Sequence, residues 1–100
     1  MVKHLVFWRL HETAEGKSKD ENAQKIKVLI ESLKSVIPEI RSVEVGLNFT
    51  ESAAAFDVAL YSEFETKDAL NVYQQHPEHV KVAGFIKNVT IERCVVDYEI

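Results

Sequence analysis

The segment Ile26-Lys27-Val28-Leu29-Ile30-Glu31-Ser32-Leu33-Lys34-Ser35-Val36-Ile37-Pro38 runs directly into Glu39-Ile40-Arg41-Ser42-Val43-Glu44-Val45-Gly46-Leu47. In its first half Ile26, Leu29, Ile30, Leu33 and Ile37 recur every three to four residues, the spacing of a buried helix face. Lys25, Lys27, Glu31, Ser32 and Lys34 fall on the opposite, solvated side. In the second half Val43, Val45 and Leu47 alternate with Glu44 and Gly46, which is the period of a strand. Pro38 separates the two regimes. It has no N–H to continue a helix, and it drives the residue before it towards extended geometry. A helix over residues 19–36 followed by a strand over 39–47 is the anchor of the fold.

Upstream, residues 2–10 read as a strand. Its alternate sets are His4, Val6, Trp8 and Leu5, Phe7, Arg9. Both sets are largely apolar, so both faces require cover. The polar residues 11–18, with Gly16, read as a loop. Downstream, residues 48–52 form a turn and 54–64 a strand, with Phe56, Val58 and Leu60 alternating with Asp57, Ala59 and Tyr61. Thr66 is an N-cap for a short helix through Tyr73. His76-Pro77 breaks it, and Pro77 opens another helix that runs to about Ile86. Residues 88–98 form the last strand, where Val89, Ile91 and Val95 oppose Thr90, Cys94 and Val96.

Strand, helix, strand, strand, helix, strand is the order of an α+β, ferredoxin-like βαββαβ fold. One domain over residues 1–100 carries it, with a four-stranded antiparallel sheet and both helical regions on one face. Leu5, Phe7, Val43, Val45 and part of the last strand are assigned to the other face. That face is too apolar to stand in water, and two sheets packed face to face in a homodimer would cover it.

The charge balance bounds the partners. A formal charge of −4 argues against nucleic acid, whose phosphates need a basic face. No apolar run is long enough to span a membrane. Lys3, His4 and Arg9 interrupt the opening run, so it is not read as a signal peptide. The single Cys94 excludes an internal disulfide, fits a cytoplasmic location and reads as a small buried apolar residue.

Chemistry has few places to reside. Of the histidines, His11 lies in the polar loop and is solvated. His76 and His79 lie three residues apart and share a helix face. They lack the Cys or Asp companions of a zinc pattern, so no metal is expected. Tyr73 precedes His79 by six residues. Such a pair could work without a cofactor: the imidazole takes a proton near neutral pH, and the phenol donates to a developing oxyanion. Spacing leaves a second reading open, in which Tyr73 packs its ring and His76 caps the following helix. His4 shares a face with Val6 and Trp8. It is either a satisfied core polar group or the polar end of a cavity.

Four segments together resemble the stress-responsive A/B barrel (Dabb) family. They are Val2-Lys3-His4-Leu5-Val6-Phe7, then Leu33 through Ile37-Pro38 to Val43 and Gly46, then Phe56-Asp57-Val58-Ala59-Leu60 with Phe64, and Tyr73-Gln74-Gln75-His76-Pro77-Glu78-His79-Val80. The resemblance covers residues 2–98. It implies a dimer that closes an α/β barrel, and a pocket between sheet and helices in each half. By resemblance that pocket involves His4, Val6, Trp8, Ile26, Ile30, Val58, His76 and Val82, and binds a small apolar or aromatic molecule. Most members have no assigned reaction. A few are plant polyketide cyclases, in which the residues matching Tyr73 and His79 act as acid and base. Ile26, Ile30 and Val58 depart from the lining of those cyclases, which implies a different substrate. The antibiotic-biosynthesis monooxygenases share the dimeric fold and supply a further reading.

Overall fold

The computed structural model describes residues 1–100. The alternation at the N-terminus becomes strand β1 (Val2–Leu10), in which Val2, His4, Val6, Trp8 and Leu10 are buried and the residues between them half-buried. Residues 11–18 are more ordered than a loop. A two-residue ladder joins β2 (Thr13–Ala14) to β3 (Lys17–Ser18) through Glu15 and Gly16, both at positive φ (52° and 72°). Two successive left-handed residues suit a tight hairpin, and glycine adopts that geometry without strain. Ser18 then starts helix α1 (Lys19–Ser32) with a reciprocal cap: Glu21 N–H donates to Ser18 Oγ at 3.2 Å, and Ser18 N–H to Glu21 Oε1 at 3.1 Å. The α-helix ends before the expected Val36. Residues Leu33–Ser35 tighten into a 3₁₀ turn, which unwinds the chain ahead of Pro38.

Strand β4 (Ile40–Leu47) follows, then β5 (Val58–Phe64), helix α2 (Lys67–Gln75), helix α3 (Pro77–Val89) and strand β6 (Thr90–Glu99). The sheet order is β4-β5-β1-β6, antiparallel throughout, with the helices on one face. This is the ferredoxin-like arrangement expected. β5 begins later than residue 54 because the chain before it turns. Asp57 anchors that turn, its Oδ2 accepting from Leu10 N–H and its own N–H donating to the Trp8 carbonyl, both at 2.8 Å. α3 runs past Ile86 to Val89, which is fully buried as the last helical residue. No helix is long and apolar enough to cross a membrane.

The core lies between helices and sheet in two adjoining clusters. One is built on Trp8, Ile26, Ile30, Leu60 and Ile86, the other on Leu33, Ile37, Phe64, Leu70 and Tyr73. Val43 and Val45 correct the expectation. They pair with Ser62 and Leu60 and face the helices, Val45 at only 2% exposure. The cause is an irregularity between Ile40 and Ser42, which inserts one residue and reverses the parity of the strand after it. The face away from the helices carries Leu5, Phe7, Ala59, Tyr61, Cys94 and Val96 by register. Cys94 is therefore exposed rather than buried, because its partner in the ladder is Phe7 on that open face.

Candidate functional site

The uncovered end of β6 leaves a cleft beneath α3. β6 is exposed along nearly its whole length, so the helices roof β1, β5 and β4 but stop short of this edge. The resulting cavity has a volume of about 610 Å³. Its floor is His4, Val6, Trp8 and Leu60, its roof Val82 and Ile86, and Tyr73 and His79 meet at one end. A cavity of this size takes a small molecule with a largely apolar body.

Two helix boundaries set the positions of the two rings. Thr66 caps α2 by accepting from Ala69 N–H at 3.1 Å, which directs Leu70 and Tyr73 at the sheet. His76 ends α2 and caps α3, its Nδ1 accepting from Glu78 N–H at 3.1 Å, with Pro77 as the first helical residue. The break turns the chain so that His79 lies back over Tyr73, with ring centroids 4.4 Å apart. Phe64 supports the tyrosine ring from behind at 4.9 Å, and His4 meets it edge-on at 6.2 Å.

The two rings are in complementary protonation states. His79 Nδ1 faces the Gln74 carbonyl at 3.0 Å, so Nδ1 carries the proton and Nε2 keeps a free lone pair. Burial pushes the His79 pKa below its ordinary value; the Gln74 carbonyl opposes this and the nearby positive charges reinforce it. The ring is thus neutral at pH 7. Tyr73 is 2% exposed, and its hydroxyl makes no hydrogen bond within the chain. Burial raises its pKa to about 12, so the phenol stays protonated and free to donate. His4 is also buried, and its Nδ1 is hydrogen-bonded to the Asp97 carboxylate across the β1–β6 ladder. Only its Nε2 remains available.

The structure thus gathers His4, Val6, Trp8, Ile30, Tyr73, His79 and Val82 around one cavity. Three expected residues stand apart from that lining. Ile26 and Val58 are sealed in the core at 0% and 1% exposure, because their spacing places them under the helix rather than beside it. His76 is spent on capping α3. Conversely, the Tyr-to-His motif does not point to Ile86, Lys87 or Arg93, which do line the cavity. The signal available was parity, since Arg93 alternates with Ile91 and Val95 on the helix side of β6. No group of three or more His, Cys, Asp or Glu side chains is placed to hold a metal ion.

A ferredoxin-like sheet with a histidine- and tyrosine-lined cavity under its helices defines a class of small α+β cavity proteins. Within that class, the chain belongs to the Stress Responsive A/B Barrel Domain family, whose model matches residues 2–100. It is similar to a solved dimeric protein of unknown function from Bacteroides fragilis, with 35% identity and a TM-score of 0.83 over 99% of this chain and 95% of that one. An uncharacterised protein of Streptomyces coelicolor is 29% identical over 79% of each chain. A hydroxynitrile lyase from Passiflora edulis shares the fold at 20% identity and a TM-score of 0.81, over 97% of this chain and 90% of that one. The Bacteroides fragilis protein and a ferredoxin-like protein of unknown function from Thermobifida fusca are both dimeric.

Proposed function

We propose that the chain binds a small apolar or aromatic carbonyl compound in the cavity and transfers a proton on it, with His79 as base and Tyr73 as acid. One observation carries this reading. A lone-pair nitrogen and an unpartnered phenol O–H belong to rings 4.4 Å apart and line the same cavity. Both side chains face the cavity and not the sealed core, and an acid beside a base is the pairing that a proton transfer uses.

The step follows from these groups. His79 Nε2 takes the proton from the carbon next to the carbonyl. The electron pair moves into the carbonyl, and the new oxyanion accepts the Tyr73 O–H hydrogen bond. The enolate carbon then attacks a second carbonyl, whose oxygen takes the imidazolium proton. In the reverse, lyase direction His79 takes the proton of a hydroxyl group, the adjacent C–C bond breaks, and the departing carbanion takes that proton from the imidazolium. His4 Nε2 orients the carbonyl. The reaction class is that of a cofactor-independent cyclase or lyase. One relative of the same fold is a hydroxynitrile lyase, which is consistent with lyase chemistry on this scaffold. The protein works as a homodimer through its open sheet face, with one cavity per protomer.

Deuterium incorporation into benzylacetone in heavy water, followed by NMR, tests the chemistry. The protein should accelerate exchange next to the carbonyl, and Tyr73→Phe should reduce the acceleration ~10²–10³-fold, as for loss of one oxyanion donor. Exchange no faster than with an equal concentration of free imidazole would remove the assignment.

A further inference from the structure

Two cations line the cavity, and both lack an acidic partner. Lys87 follows Ala83 by one turn of α3, and Arg93 stands opposite Trp8 in the β1–β6 ladder, on the helix side of the sheet. The carboxylates nearest in register are occupied. Glu92 binds Arg9 Nε at 2.9 Å, Asp97 is held by His4, and Glu99 reaches Lys67 at 3.9 Å. Glu92 also lines the cavity, but its carboxylate is paired with Arg9, so in a chain with a formal charge of −4 the wall still holds two positive charges without an acidic partner. The Arg93 charge is felt at both reacting rings, since it draws the Tyr73 phenol and the His79 imidazole towards lower pKa.

We propose that Arg93, with Lys87 across the mouth, is a carboxylate-binding subsite, and that the cavity takes a small carboxylate with an apolar or aromatic body. This rests on the cavity reading above and names its substrate class. A guanidinium offers two parallel N–H donors that match a carboxylate. A phosphoryl group would call for a cradle of free backbone N–H groups. The helix start beside the cavity offers no such cradle, because Pro77 supplies no N–H, His76 caps that of Glu78, and the Val80 N–H donates to the His76 carbonyl. The geometry also serves the chemistry. An acid held at the mouth presents its chain along Trp8 and Val6 towards Tyr73 and His79, and its own charge is offset while a second negative charge develops.

Calorimetry with hydrocinnamate and with its neutral isostere hydrocinnamamide tests the subsite. The acid should bind about tenfold tighter than the amide or better, a preference that weakens with added salt. Arg93→Gln should bring the affinity for the acid down to that for the amide, with an unchanged melting temperature because Arg93 is exposed. Lys87→Gln should give a smaller loss. Equal affinity for the two probes, no binding of the acid, an acid preference that survives in the Arg93→Gln, Lys87→Gln double variant, or tighter binding of phenyl phosphate than of hydrocinnamate would each overturn it. The comparison reads binding without turnover. Failure of proton transfer, read by deuterium exchange on benzylacetone, is therefore a separate result.

Discussion

At the scale of single residues, Tyr73 offers a clean separation of stability from chemistry. Its ring is packed between Phe64 and His79, whereas its hydroxyl contributes no hydrogen bond to the fold. Tyr73→Phe keeps the packing and removes only the unpartnered group. Stability by urea unfolding should change by less than about 0.5 kcal/mol while activity falls steeply. A large loss of stability would mean that the hydroxyl holds the fold. His79 supplies a pH signature. Its folded pKa lies below the unfolded value of 6.5, so between the two the unfolded state binds more protons. The stabilising contribution of neutral His79 is complete above 6.5 and is lost as pH falls towards the folded value. The proton-transfer rate should rise through that same acidic pKa and then stay level until Tyr73 ionises near 12. A rate that falls as pH rises through the neutral range would contradict His79 as base.

At the scale of elements, the junction between α2 and α3 holds the site. His76 and Thr66 determine where two helices begin, and hence where Tyr73 and His79 point. His76→Ala should cost about 1 kcal/mol of stability, the usual worth of an N-cap, and should lower activity by displacing His79. His76→Asn, which can cap with its own side-chain oxygen, should restore both, as measured by urea unfolding and by turnover. If asparagine restores stability without turnover, His76 touches the substrate after all. The same elements explain what was legible. The helix before Pro38, the opening strand and the Pro77 start each follow from neighbouring residues, so their periods and caps can be read locally. The Tyr73–His79 pairing was likewise legible as a motif. The extra residue near Arg41, the face of Cys94 and the place of Arg93 depend on which strand lies opposite, and no local pattern encodes that partner. Ile26 and Ile30 show the limit well. They are one helical turn apart with the same side chain, yet Ile26 is sealed in the core while Ile30 reaches the cavity.

At the scale of the molecule, the proposed dimer would bury the open sheet face. Phe7 lies at its centre between Ala59 and Cys94, with Leu5, Tyr61 and Val96 beside it. Charged pairs lie towards its ends, Lys3 with Glu63 and Arg9 with Glu92. An apolar centre with a charged border is the anatomy of a contact surface. Sedimentation equilibrium at micromolar concentration should give twice the 11.4 kDa chain mass. Phe7→Asp should shift the protein to the monomer, because it sets a carboxylate at the apolar centre of the face that the dimer would bury. A wild-type chain that sediments as a monomer would rule out the sheet-face dimer.

On the proposed function and the proposed dimer, strand β1 has one side to each task. Its even positions, from Val2 to Leu10, look under the helices, and its odd positions, from Lys3 to Arg9, look outward. This divides the ways in which the protein can diverge. Substitutions at even positions can retune the ligand, and those at odd positions the assembly, each without disturbing the other. Insertion or deletion of one residue inside the strand does neither, because it exchanges the sides beyond the change, sending histidine outward and phenylalanine into the cavity. Lineages built on this scaffold should therefore vary in the composition of their first strand and hold its length constant.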